Sequence, residues 1–142
     1  MISTIAVGTD GSGTAAVAVK TATEMAKRFE AELVLLSASS GEREGPLDRR
    51  AAPEEIQWAY SPAARTQQIL AQAEEEVRRG GVACRTLVDE GDPADVLVRL
   101  AGECGADLLV VGNKGMERRV LGSVPNTVTH HAPCSVLVVK TT

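Results

Sequence analysis

Five short runs of aliphatic residues punctuate the chain: Ile2–Val7, Glu32–Ala38, Ala83–Val88, Asp107–Val111 and Ser135–Val139. Most are nearly continuous in apolar, often β-branched residues, the pattern of strands covered on both faces. Between them lie stretches of helical period. Ala18, Ala22, Met25 and Phe29 share a face of a helix expected from about Ser12 to Glu30. Ile69, Leu70, Ala73 and Val77 do the same from Pro62 to Arg79, which stops at Gly80-Gly81. Asp92-Pro93-Ala94-Asp95 starts a third helix, with Asp92 as N-cap, Pro93 at the first position and Val96, Leu97, Leu100 and Cys104 inward. A fourth begins at Ser123, with Val124 and Val128 inward. Strands alternating with helices imply right-handed crossovers, so the fold class is α/β: a doubly wound open parallel sheet with helices on both faces.

Such a sheet binds ligands outside the carboxyl ends of its strands. The turns at Val7–Asp10, Ala38–Ser40 and Gly112–Gly115 therefore gather at one edge. The last follows a strand with two close glycines, Lys114, then Arg118 and Arg119, before Gly122-Ser123 opens a helix. Bare backbone N–H groups, cations and a helix N-terminus make an anion site suited to phosphate.

Other phosphate signatures do not fit. The chain has no G-x-x-x-x-G-K-[ST] sequence, since Lys114 precedes its glycine. Gly11-Ser12-Gly13-Thr14-Ala15-Ala16 matches a dinucleotide fingerprint, but Asp10 would face the pyrophosphate. Strand two also ends in Ser37-Ala38-Ser39-Ser40, with no carboxylate for a ribose. A tight turn with Ser12 capping the helix is the preferred reading there.

The 142 residues form one expected domain, 1–142. Aromatics are 2%, so the core must be aliphatic, and a net charge of −4 with interspersed signs argues against a broad nucleic-acid surface. No basic leader or long apolar span opens the chain, and Cys84, Cys104 and Cys134 are isolated. The expectation is a cytoplasmic protein with reduced thiols and no membrane contact. The segment from Ser39 to Tyr60 lacks periodicity and reads as a functional flap or a mobile insert. Its Trp58 and Tyr60 either tuck it onto the body or cover a base or partner.

The chain resembles the universal stress protein family over nearly its whole length. The likeness rests on Gly-Thr-Asp-Gly-Ser after the first strand, Val-Val-Gly-Asn-Lys-Gly-Met, Leu-Gly-Ser-Val-Pro-Asn, and the closing His-Ala-Pro-Cys-Ser-Val-Leu-Val-Val. The resemblance implies strand order 3-2-1-4-5, homodimers paired through Ser135–Val139, and a role in stress sensing or regulation. It also implies ATP, or another adenine nucleotide, with Mg2+ as a candidate companion. Carried over, Asp10 bonds the adenosine part, Ala38 lines the adenine pocket, and Gly112, Gly115, Gly122, Ser123 and Val124 hold ribose and phosphates, with Gly8, Thr9, Val111, Asn113, Lys114 and Pro125 among the expected contact residues. ATP-binding members space the second and third glycines by nine residues. Here six, Met116 to Leu121, separate Gly115 from Gly122. Three fewer residues remove up to ~10 Å of reach and leave at most ~20 Å. Arg118 and Arg119, now inside the tighter arch, are either phosphate clamps or solvated surface charges.

Asp10 reads as a ligand to ribose or adenine, or as a plain turn residue. Ser123 reads as an N-cap beside an anion, and His130 and His131 as caps of the last helix. No general base, nucleophile or metal cluster stands beside the glycine loop, so regulation is expected over turnover. A partner-binding module without nucleotide, or a slow ATPase, are the competing classes; the sequence identifies no protein partner.

Overall fold

The computed structural model describes residues 1–39, 62–113 and 123–141. Expectations that fall on Lys114, Gly115, Arg118, Arg119, Gly122, Ser40, Trp58 and Tyr60 lie outside the described residues. Among the described residues the order is β1 (Thr4–Gly8), α1 (Gly13–Phe29), β2 (Glu32–Ser39), α2 (Pro62–Arg79), β3 (Cys84–Glu90), α3 (Pro93–Glu103), β4 (Leu108–Gly112), α4 (Ser123–His131) and β5 (Ser135–Val139). All strand pairs are parallel and the sheet order is 3-2-1-4-5, as the resemblance implied.

Alternation along each strand divides the core into two layers. Ile5, Val7, Leu33, Leu35, Leu108 and Val110 face Ala18, Val19, Ala22 and Ala26 of α1 and Leu70 and Val77 of α2. Ala6, Val34, Leu36, Leu109 and Val111 face Ala94, Val96, Leu97, Leu100 and Ala101 of α3 and Val128 of α4. The small residues of α1 let it lie close to the sheet, so a core without aromatics still packs.

Local chemistry fixes the boundaries. Ser12 caps α1, its Oγ accepting the Ala15 N–H at 3.1 Å. Gly11, at φ +81°, makes the turn before it. Asp92 caps α3, with Pro93 opening the helix. β1 starts at Thr4, later than expected, because the N–H groups of Ser3 and Thr4 donate to Asp107 Oδ2 at 2.9 and 3.0 Å. That carboxylate ties the chain start to the entry of β4.

One inward assignment is corrected. Phe29 is 47% exposed, because α1 ends at that residue and β2 starts only at Glu32, leaving little sheet beneath the ring. The three cysteines are free; Cys84 is buried and Cys104 and Cys134 are half-buried. No helix among the described residues is long and apolar enough to cross a membrane.

Candidate functional site

The strand order reverses between β1 and β4: the chain winds outward through β2 and β3, then returns to β4 and β5. Neighbouring connections leave the sheet in opposite directions there, and a crevice opens beyond the strand ends. It is a cleft of about 440 Å³, within the range of small-molecule sites.

Three helix starts and three strand ends supply its described walls. From β1 and its turn come Gly8, Thr9, Asp10 and Ser12; from α1, Thr14 and Ala15; from β2, Ser37 and Ala38. α3 contributes Pro93 and Leu97, β4 contributes Val111 and Gly112, and α4 contributes Ser123, Val124 and Pro125. Ala38, Pro93, Leu97, Val111, Val124 and Pro125 make an apolar side. Thr9, Asp10, Ser12 and Thr14 make a polar rim, in which Asp10 is the charged residue among the described lining. The first turns of α1 and α4 reach the same space, and the N-terminal end of a helix favours negative charge.

The turn carrying Asp10 is braced from beneath. Thr9 N–H donates to Leu36 O at 2.9 Å, and the Ser37 hydroxyl donates to Thr9 O at 2.8 Å in a buried bond. Thr9 Oγ1 accepts the Gly11 N–H at 3.2 Å. Asp10 Oδ1 accepts the Ser12 N–H at 2.9 Å. Asp10 is itself exposed, and the turn orients its carboxylate through the Ser12 N–H.

Of the expected contact residues that are described, Gly8, Thr9, Asp10, Ala38, Val111, Gly112, Ser123, Val124 and Pro125 come together on this cleft. Asn113 is not among the described residues of the cleft wall. It is 3% exposed, and its Oδ1 accepts from both the N–H and the hydroxyl of Thr141, each at 2.7 Å. Two donors use both lone pairs of that oxygen, which leaves it none for a ligand.

Sequence reading missed the cleft roles of Ser12, Thr14, Ala15, Ser37, Pro93 and Leu97. Pro93 and Leu97 carried a usable signal: they are four apart at the start of a helix that follows a strand's carboxyl end, so both share a face at the binding edge. Leu97 was read as core, which it also is. Ser37, a hydroxyl inside an aliphatic run, marked a buried partner without naming it. His130 and His131 occupy the exposed last turn of α4, at the opposite end of that helix from the cleft. Among the described residues no three His, Cys, Asp or Glu side chains group to hold a metal ion.

The sequence matches the profile of the universal stress protein family over residues 1–140. The universal stress protein Rv1636 of Mycobacterium tuberculosis is 40% identical over 147 aligned residues, covering 98% of this chain and 97% of its own. A crystal structure of a universal stress protein in complex with cAMP is 32% identical, with a TM-score of 0.73, covering 99% of this chain and 98% of that one. A family protein from Arabidopsis thaliana with AMP bound shares the fold at a TM-score of 0.76, with 22% identity and coverage of 99% and 92%.

Proposed function

This chain belongs to the universal stress protein family, and from that premise we propose that its cleft binds an adenine nucleotide and that occupancy, not turnover, is its output. The observation that carries this reading is the division of one switch-point cleft into an apolar side and a polar rim fed by helix N-termini. A nucleotide has the same division: a flat base, a hydroxyl-bearing sugar and an anionic tail. In this reading Ala38 and Leu97 flank adenine, Asp10 accepts from ribose hydroxyls, and the phosphates run toward Ser123 and the start of α4. Solved relatives carrying cAMP and AMP support the adenine assignment.

We assign ATP as the ligand, held beyond adenosine by the glycine-rich stretch with Lys114, Arg118 and Arg119. Any Mg2+ would ride on the phosphates, as this ion commonly does. The reading extends to a homodimer through β5. That strand pairs with β4 on one side, and its Val136, Leu137, Val138 and Val139 are half-buried, the condition of an edge open to another strand. A response to stress in the cytoplasm completes the proposal.

Calorimetric titration with ATP, ADP, AMP and cAMP tests it. Saturable binding of ATP by the purified chain, weakened in Gly115→Asp and Gly122→Val with unchanged circular dichroism, is the expected result. Binding of none of the four would leave a partner-binding module instead. Mg2+-dependent phosphate release abolished by Asp10→Ala would favour the slow ATPase. For the dimer, Val138→Lys should halve the mass seen by light scattering; an unchanged mass would remove β5 from the interface.

A further inference from the structure

The sequence offered Asn113 as a nucleotide contact, and the structure shows its backbone N–H and side-chain oxygen engaged at the end of β5. Its backbone N–H donates to Val139 O at 3.0 Å, one residue past the last rung of the β4–β5 ladder. Its side-chain oxygen takes the N–H and the hydroxyl of Thr141 at 2.7 Å each. The residue is 3% exposed, so these bonds are shielded from water. Together they fold the chain leaving β5 back over the end of β4.

What this places beside the cleft is a methyl group. A Cβ built on Gly112 would stand 3.3 Å from Thr141 Cγ2 and 3.8 Å from the Thr14 carbonyl oxygen. Thr141 therefore packs where a side chain on Gly112 would be, next to the first turn of α1. Gly112 and Thr14 both line the cleft, while Thr141 stands behind them. The wall that meets the ligand is thus held from its far side by the residue that follows the edge strand.

We propose that Asn113 is a positioning residue, clamping Thr141 behind Gly112 so that the cleft wall and the tail of β5 order as one unit. The proposal rests on the nucleotide reading given above. Ligand pressed against Gly112 stabilises the clamped arrangement, and by reciprocity a clamped tail raises ligand affinity. Filling of the cleft is thereby transmitted to the outer edge of the sheet without Asn113 touching ligand.

Two variants separate this role from simple support. Thr141→Val keeps the shape and removes one donor; Asn113→Leu removes the acceptor. With ATP and AMP as probes, Thr141→Val should weaken binding about threefold and Asn113→Leu about tenfold. The double variant should bind no worse than Asn113→Leu alone, because the hydroxyl then has no partner left to lose. A readout that mere support would not move is hydrogen exchange at the Thr141 amide. In the unaltered chain ATP should slow it, and in Thr141→Val the slowing should shrink. If Asn113→Leu does not fold, Thr141→Val carries both measurements. Unaltered affinity together with ligand-independent exchange would overturn the clamp while leaving the nucleotide reading intact. Absence of ATP and AMP binding by the unaltered chain would remove that reading and this inference with it.

Discussion

Gly8→Ala is the sharpest probe of how the cleft is built. Gly8 ends β1, and a Cβ there would lie 2.9 Å from Leu97 Cδ1, 3.0 Å from Cδ2 and 3.6 Å from Cγ. Carbon pairs prefer about 3.5–4.0 Å, so two methyl contacts are too close. Leu97 is only 7% exposed and packs against Leu36 and its neighbours in the α3 layer. Its side chain must leave its rotamer or lean into the cleft that it lines. Overpacking of this kind costs about 1–3 kcal/mol, which for a domain of this size is a fall in Tm of roughly 3–9 °C. Leu97→Val withdraws the terminal methyls and should itself cost about 1 kcal/mol. Combined with Gly8→Ala it should recover at least about 1 kcal/mol of the sum, because the two changes cancel at one contact. Urea unfolding of the four proteins measures the cycle, and ATP titration should show affinity lost in Gly8→Ala and partly regained in the double variant. Strict additivity, or an unchanged Tm in Gly8→Ala, would refute the packing argument.

Gly11→Ala should destabilise by about 2 kcal/mol or more, read from the urea midpoint, since its φ of +81° strains any side chain and a Cβ would meet Ile69 at 2.9 Å. Asp107 is held below the ordinary carboxylate value of 3.8 by the N–H groups of Ser3 and Thr4 and the Ser3 hydroxyl. A lowered folded-state pKa adds stability that is present above 3.8 and lost as pH falls through the folded value, so Asp107→Asn should flatten the stability–pH curve below pH 4. An unchanged acid limb would count against that tie. Burial, with Glu74 adding to it, pushes the Cys84 thiol up to about 11 from 9.0. Its contribution is then complete below pH 9 and fades as pH rises through 11, so Cys84→Ala should be less sensitive to alkali. Native Cys84 should also resist alkylation at pH 8 until urea is added; rapid labelling of the native thiol would contradict its burial.

The order and type of elements were legible because each is set by local rules. Uninterrupted aliphatic runs specify buried strands, a 3.6-residue stripe specifies a helix face, and Ser12 and Asp92 cap with their own side chains. The parallel α/β class followed from alternation alone, whereas the 3-2-1-4-5 order came from family likeness, which the sheet bears out. The edge that carries the cleft was legible too, since every β-to-α turn of such a sheet lies at the same end. Phe29 was misread because periodicity gives the angle of a residue about the helix but not where the neighbouring sheet stops.

What stayed hidden were the pairings between distant segments. Ser37 with Thr9, and Asn113 with Thr141, each join residues 28 apart in the chain, and no local pattern encodes which donor will meet which acceptor. Leu97 shows the same limit in apolar form: a helical stripe says that it is covered, not that part of its cover is a cleft. Sequence alone thus determined the elements, their caps and the edge where the cleft opens, because these depend on near neighbours and on a regular period. Only the tertiary structure decided which side chains line the cleft and which brace the wall behind it, because that choice depends on atoms brought together by the crossovers.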